Sequence, residues 1–247
     1  MTQAKSGLER LGTQQVSAEA ARIRYSYAPG VSLAGRTEYN RCSMFPDFTL
    51  QQILLRAAAI LIIAGVQGFV LTLVARLLGD RGPEYDGRFS LNPFTHLDAI
   101  GSLTLFLFSL GWIKPVNIDI KELRSGYLGA AILAASAIAA SLLLAFILTG
   151  LRPLVFSTFP DSVAFTAIAL MNTTIALSLW FAVFNVIPMP PMAVGQYVVG
   201  SAPRLKALFH RYAIYIKLAL AVIILTGEPL RLLRPVYVAL RNLVVGS

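Results

Sequence analysis

Histidine, cysteine and carboxylate side chains are the groups in this sequence that could hold a metal ion or transfer a proton. The chain has two histidines, His96 and His210, and one cysteine, Cys42. A hydrolytic zinc site needs two imidazoles one helical turn apart, a carboxylate base between them and a third ligand from elsewhere. Neither histidine is followed by histidine or glutamate at three or four residues. The sequence predicts no catalytic zinc and no cofactor; a site improvised from His96, Asp98 and Cys42 or His210 is the alternative.

A cluster of prolines interrupts the apolar part of the chain. It reads Asn185-Val186-Ile187-Pro188-Met189-Pro190-Pro191-Met192-Ala193-Val194-Gly195-Gln196 and follows a long apolar run. Proline lacks a backbone donor and disfavours helix in the residue before it, so a helix must end here. Broken backbone at membrane depth is tolerated where protein surrounds it or where it lines a wet cavity. We expect other helices around this segment; a simple connecting loop is the alternative.

The composition is typical of an integral membrane protein that crosses the bilayer several times. Hydrophobic residues make up 56% of the chain, charged residues 13%, and the mean hydropathy is +0.69. The net charge of +9 comes mostly from residues between apolar runs. Cationic loops of a membrane protein are explained by the positive-inside rule and anionic headgroups, so we expect lipid contacts and no nucleic acid. A single cysteine excludes an internal disulfide framework.

The chain divides into a polar arm, residues 1–50, and a membrane domain, residues 51–247. The arm has no apolar run and buries too little surface to fold alone, so we expect it to order on a partner. Its candidate docking residues are Arg22, Arg24 and Arg36, and a flexible tail is the alternative. The fold class is all-α, with about five to six transmembrane helices predicted from the apolar runs Ile53–Leu78, Ala99–Val116, Tyr127–Leu151, Val163–Ile187, Tyr212–Gly227 and Leu230–Val245. The run at residues 99–116 is barely long enough to cross, so a tilted short helix and a re-entrant helix are its alternatives, and residues 230–245 are either an amphipathic helix at the interface or a second short crossing.

Two motifs resemble the site-2 protease (M50) family of intramembrane zinc metalloproteases. The first is the family's N-x-x-P-x-P-P-x-D-G, which matches at Asn185, Pro188, Pro190 and Pro191. The second is G-R-L-T-L-N-P-x-x-H-I-D-x-I-G, which matches over Gly87 to Gly101 and includes Asn92, Pro93, His96 and Asp98. The resemblance covers about Ile53 to Leu233 and implies a site-2-protease-like helical core.

The resemblance fails at the positions that carry the family's chemistry. Short-form members of the family have an H-E-x-x-H motif followed, after a further helical stretch, by L-G-D. Leu78-Gly79-Asp80 matches L-G-D, and counting back from it places H-E-x-x-H on residues 67–71. Its two histidine ligands correspond to Gln67 and Leu71, its general base to Gly68, and the aspartate ligand of the second motif to Ala193. The resemblance therefore implies a pseudoprotease without catalytic residues. His96 and Asp98 lie outside the family's metal set, and we interpret them as hydrogen-bonding loop backbone and helix ends.

These features predict an accessory or scaffolding subunit of a larger membrane complex, with other integral membrane proteins as partners. A client-binding regulator and an active intramembrane peptidase with a relocated site are the alternatives. We expect the chain in a bacterial inner membrane with its arm in the cytoplasm. This orientation rests on a count of basic residues that places Lys114, Lys121 and Arg124 on the side of the arm and Arg81, Arg88 and Arg152 on the other.

Overall fold

The computed structural model describes residues 49–116, 122–200 and 203–246, and the side chains of residues 197–200 and 203–206 are not among those described. The arm of residues 1–50, except Thr49 and Leu50, lies outside this range, as do Arg22, Arg24, Arg36 and Cys42. Within the described ranges the regular elements are helices: α1 Leu50–Leu78, α2 Gly82–Tyr85, a 3-10 turn Pro93–Thr95, α3 Ala99–Phe108, α4 Gly126–Thr158, α5 Asp161–Asn185, α6 Ala193–Gly200, α7 Pro203–Arg211, α8 Ala213–Leu225 and α9 Glu228–Val245.

Three of these helices, α1, α4 and α5, are long and apolar enough to cross a membrane. A fourth span exists if α8 and α9, which meet at an angle of 76°, together form one. The all-helical membrane fold predicted from sequence is confirmed, and its count of five to six spans is met only approximately. The main difference lies at residues 99–116, which contain a helix of ten residues, α3. At 1.5 Å per residue such a helix is about 15 Å long and too short to cross the bilayer.

Helix α1 begins and ends at recognisable capping residues. The Thr49 side chain accepts a hydrogen bond from the Gln52 amide, which starts the helix three residues before the predicted Ile53. Gly79 ends it in the left-handed conformation, with φ of 112°. The helix is therefore 29 residues long, and its central residues face the other two spans.

Small side chains allow α1, α4 and α5 to pack closely. Ala59 and Ala64 of α1 and Ala137 of α4 are completely buried in one core that also contains Leu177 and Phe181 of α5. Helices in lipid associate mainly through van der Waals packing, which improves when small residues let backbones approach. The Ala- and Ser-rich run of α4 thus has the packing role that its composition predicts.

The segment after α3 turns back to the end of the bundle where α1 finishes. Two glycines permit this: a Cβ on Gly101 would lie 2.2 Å from the Trp112 carbonyl oxygen, and one on Gly111 the same distance from the Gly101 oxygen. The Lys114 amide then donates to the His96 carbonyl, at 2.8 Å, and the Arg124 amide donates to the Leu78 carbonyl, at 2.9 Å. Residues 99–116 therefore form a hairpin of α3 and the segment that returns along it.

The hairpin corrects the count of basic residues by side. Because α4 starts beside the end of α1, Lys114 and Arg124 lie at the same end of the bundle as Arg81 and Arg88. Arg152, near the far end of α4, lies at the opposite end, where α1 begins. The predicted assignment of Lys114 and Arg124 to the side of the arm is wrong, because it assumed that residues 99–116 cross the bilayer. Lys121 is outside the described residues.

Candidate functional site

Asn185 joins the two helices on either side of the proline cluster. Its side-chain amide donates to the Phe181 carbonyl, at 2.8 Å, one turn back in α5. Its Oδ1 accepts from the Ala193 amide, at 3.0 Å, which begins α6. Pro188, Pro190 and Pro191 lie in the loop between these helices. The side chain thereby satisfies backbone groups that the broken helix leaves unpaired, so the loop has a defined geometry.

Gly195 brings α6 against the proline loop. A Cβ at this position would lie 2.1 Å from the Met189 carbonyl carbon, so only glycine fits there. The Gln196 side chain adds a hydrogen bond from its Nε2 to the Pro191 carbonyl, at 2.6 Å. Residues 191–193 are therefore buried in the fold, whereas Val186, Pro188 and Met189 of the same loop are exposed.

Gln67, which takes the place of the first histidine ligand in the resemblance, is bonded to α4. Its Nε2 donates to the Ala137 carbonyl, and its Oε1 accepts from the Ser141 hydroxyl at 3.1 Å. The side chain is only 2% exposed. Both ends of the carboxamide are thus engaged in a contact between two membrane helices, which is the role that polar side chains commonly have in such bundles.

The ring of His96 occupies the space beside Gly68, the position of the general base in the resemblance. A Cβ on Gly68 would lie 2.1 Å from both Cγ and Nδ1 of His96. His96 is completely buried, and its Nε2 lies 2.9 Å from the Ser90 carbonyl oxygen. A carbonyl only accepts, so Nε2 carries the proton and Nδ1 is the unprotonated nitrogen. Nδ1 has no hydrogen-bond partner among the described residues.

The surroundings of His96 favour its neutral form. Burial lowers the pKa of the imidazole, the hydrogen bond to Ser90 opposes this effect, and the nearby Arg88 guanidinium lowers it further. Arg88 itself donates to the Lys114 and Pro115 carbonyls, at 3.2 and 2.8 Å. A neutral, buried imidazole wedged against a glycine of α1 fixes the loop before α3 to the membrane helices.

Leu71 and Ala193, at the other two metal-ligand positions, line a small pocket together with Gln67. The volume open to the centre of a water molecule in this pocket is about 10 Å³. That is room for about one water and far too little for a peptide segment. Its lining comes from α1, the hairpin, α5, the proline loop and α6: Gln67, Leu71, Trp112, Ile113, Lys114, Pro115, Val116, Phe181, Asn185, Pro191, Ala193 and Gln196. Three of the four positions that correspond to the family's site therefore lie around one pocket, and the fourth, Gly68, is in contact with the His96 ring.

Within the described ranges, no three His, Cys, Asp or Glu residues lie close enough to hold a metal ion. His210 is exposed on α7, whereas His96 is buried against α1. These two histidines and Asp98 therefore do not form the improvised site that the sequence left as an alternative. Cys42 lies outside the described residues.

Asp98 connects three elements next to this pocket. Its Oδ1 accepts from the Gly101 amide, at 3.1 Å, which caps α3, and from the Trp112 indole, at 3.2 Å. Its Oδ2 pairs with the Nζ of Lys217 on α8. Asn92 has a similar local role, because its Oδ1 accepts from the Phe94 amide, at 3.2 Å, and caps the turn that begins at Pro93. Both residues bond to loop backbone and helix starts, as we interpreted for Asp98.

Sequence reasoning missed two of the partners in these contacts. Lys217 lies in an apolar helix, and a cation in such a helix usually has an acidic partner, so the signal was present. The contact between Gly68 and His96 had no such signal. It depends on the path of the loop that contains His96, 28 residues after Gly68, and no hydrophobic periodicity predicts the path of a loop.

The chain is similar to a protein of Bacillus subtilis (strain 168) named "Putative zinc metalloprotease YwhC". The two are 28% identical over 122 residues, which are 48% of this chain and 56% of the relative. The chain therefore spans about half the length of the curated relative that it matches. No family model and no solved structure matches it. The similarity is consistent with a site-2-protease-like family, in agreement with the two motifs.

Proposed function

We propose that this protein is a catalytically inactive relative of the site-2 proteases that serves as an accessory or scaffolding subunit of a larger membrane complex. The observation that carries the proposal is the packing at residues 67 and 68. Gln67 is fully engaged with α4, and the space of a side chain at residue 68 contains the ring of His96.

The chemistry of the four family-site positions supports inactivity. A zinc hydrolase binds its metal through imidazole, carboxylate or thiolate groups and uses a further carboxylate as base. Leu71 and Ala193 have no donor atom, Gly68 has no side chain, and both ends of the Gln67 amide already have partners. The activity in the name of the relative from Bacillus subtilis would require groups that these four positions do not supply.

A scaffolding role is supported by what the fold retains. The proline loop, the hairpin and the loop of His96 each bond or pack against membrane helices through the chain's own side chains. About a third of the most apolar window of α4 is buried within the chain, and large side chains on its other faces are exposed: Leu143, Phe146, Ile147, Leu151 and Leu154. Such faces contact lipid or the helices of another membrane protein. The arm, with Arg22, Arg24 and Arg36, is the second proposed contact.

The corrected positions of the basic residues bear on orientation in the inner membrane. Among the described residues, the end of the bundle where α1 finishes has Arg81, Arg88, Lys114 and Arg124, while Arg56 and Arg152 are towards the other end. By the positive-inside rule we propose that the former end faces the cytoplasm. This reverses the side that the sequence count gave to the arm.

Purification of the tagged, full-length chain from its own membrane in mild detergent tests the proposal. We expect at least one other integral membrane protein at a fixed molar ratio in quantitative mass spectrometry, and far less than one zinc per chain in elemental analysis. Varied proteins at low and changing ratios would instead indicate a client-binding regulator. One tightly held zinc per chain, or cleavage of a transmembrane substrate by the purified chain, would contradict the inactive reading.

A further inference from the structure

Two arginines meet where the last turns of α4 pack near α9. Arg152 is the only charged residue of α4, and Arg241 lies one turn before the end of α9. Leu148, one turn before Arg152, packs in the same cluster as Leu240 and Val244 of α9, so Arg152 and Arg241 lie at the same contact between the two helices. The Nε of Arg152 is buried, and it has no hydrogen-bond partner in the described part of the chain. This arrangement costs free energy unless an anion is present.

The chain itself supplies no such anion among its described residues. The ion pairs Arg76–Glu84, Asp98–Lys217 and Glu228–Arg231 include neither Arg152 nor Arg241. The acid of α9, Glu228, pairs with Arg231 at 3.1 Å near the start of that helix. Helices α4 and α5 together contain one acid, Asp161, which is exposed and forms no ion pair. The two arginines therefore present uncompensated positive charge.

The depth of Arg152 in the bundle corresponds to the edge of the hydrocarbon layer. A helix of 33 residues is about 50 Å long, and Arg152 lies about 39 Å from its start at Gly126. If the centre of α4 coincides with the centre of a hydrocarbon core about 30 Å thick, that core ends about 40 Å along the helix. Arg152 is then at the level where the headgroups begin.

The surface around the two arginines is rigid and apolar. Trp180 of α5 and Tyr237 of α9 stack with 4.2 Å between ring centroids and 7° between ring planes, which holds α9 against the bundle. Leu151 and Leu154 of α4 and Val238 of α9 are exposed nearby in sequence. A ligand at this place meets a cationic pair on one side and an apolar, lipid-facing surface on the other.

We propose that Arg152 and Arg241 bind the phosphate of an anionic phospholipid whose acyl chains lie against the exposed apolar side chains of α4 and α9. Guanidinium groups suit phosphate because they donate two parallel hydrogen bonds to its oxygens. A lipid satisfies both the charged and the apolar half of the surface, whereas free phosphate would satisfy the charged half alone. This site does not depend on whether the chain is catalytically active.

Native mass spectrometry of the full-length chain, released from vesicles of phosphatidylcholine with a minor fraction of phosphatidylglycerol, tests the site. We expect the wild type to retain phosphatidylglycerol above its share of the vesicle. Each arginine near an anionic headgroup contributes about fivefold in affinity, so the pair Arg152→Gln and Arg241→Gln should weaken retention by about thirtyfold. The matched control is Arg231→Gln, which removes an exposed arginine of the same helix and should leave retention unchanged.

Two results would overturn the proposal. One is equal retention of phosphatidylglycerol by the wild type and the glutamine pair. The other is loss of the lipid on adding millimolar inorganic phosphate, which would show that the free anion is the ligand. If the glutamine pair does not fold, the single variants decide, since each is expected to lose about fivefold. The pair Arg152→Lys and Arg241→Lys keeps both charges and should retain most of the binding.

Discussion

Replacing Gly68 with alanine tests whether His96 fills the space beside α1. A Cβ at residue 68 would lie 2.1 Å from two atoms of the imidazole, whereas non-bonded carbons prefer about 3.5–4.0 Å. The ring must therefore move by more than an ångström. It is completely buried and bonded to the Ser90 carbonyl, so the loop must move with it. Overpacking of this kind costs about 1–3 kcal/mol, and the fixed ring places Gly68→Ala in the upper part of that range.

Thermal unfolding of the purified chain in detergent, followed by circular dichroism, measures this cost. For a chain of this size a loss of 1 kcal/mol lowers Tm by about 2–4 °C, so Gly68→Ala should lower it by about 4–12 °C. The matched control is Gly150→Ala in α4, where a Cβ would meet nothing within 4 Å. Alanine in place of glycine inside a helix stabilises by about 0.5–1 kcal/mol, so the control should raise Tm slightly.

A double-mutant cycle separates the contact with His96 from other effects of the alanine. His96→Ala alone should destabilise the chain, because it leaves a cavity and an unpaired Ser90 carbonyl. In that background, Gly68→Ala should be nearly harmless, since the ring is gone. Residues in contact typically show coupling of about 0.5–3 kcal/mol. If Gly68→Ala costs the same with and without the imidazole, or costs nothing in the wild type, the packing inferred here is wrong.

Three further outcomes follow from the same structure. Because burial lowers the pKa of His96 below its ordinary 6.5, the unfolded chain binds more protons than the folded one below pH 6.5. The Tm should fall as the pH drops through this range, and His96→Gln should flatten the dependence. Gln67→Leu removes two hydrogen bonds between membrane helices, each worth about 0.6 kcal/mol on average, so it should cost about 1.2 kcal/mol in the same unfolding assay. The hairpin can be tested by placing single cysteines at the exposed residues 86, 114 and 157 in a Cys42→Ser background. Cysteines at residues 86 and 114 should react with an impermeant maleimide from one side of the membrane, and a cysteine at residue 157 from the other side. Labelling of residue 114 from the same side as residue 157 would contradict the hairpin.

The long helices could be predicted because an apolar run of bilayer length has few other conformations available. The predicted runs Ile53–Leu78 and Val163–Ile187 differ from α1 and α5 by three residues or fewer at each end. The run at Tyr127–Leu151 ended seven residues too early, since α4 continues through Pro153 to Thr158. A proline within a run indicates a break, yet the apolar residues beyond it continue the helix.

The hairpin at residues 99–116 shows why apolar length alone is insufficient. Its composition is as hydrophobic as that of a membrane-spanning helix, but Gly101 and Gly111 let the returning segment lie against the first turn of α3. The Asp98 carboxylate holds both parts through the Gly101 amide and the Trp112 indole. These contacts join residues whose spacing follows no helical or strand period. The sequence could therefore show that the apolar run at residues 99–116 is short, but not that the chain turns back along α3.

The chemistry of the site was more accessible to sequence than its packing. Residue types alone establish that positions 67, 68, 71 and 193 offer no imidazole, carboxylate or thiolate. They do not establish what surrounds those positions, because that depends on where His96 and Ser141 are brought by other elements. Since the imidazole fills the space of any side chain at residue 68, a glutamate introduced there would lack room unless His96 moved. A carboxylate side chain at residue 68 would thus require repacking of the loop before α3 as well as a change of residue.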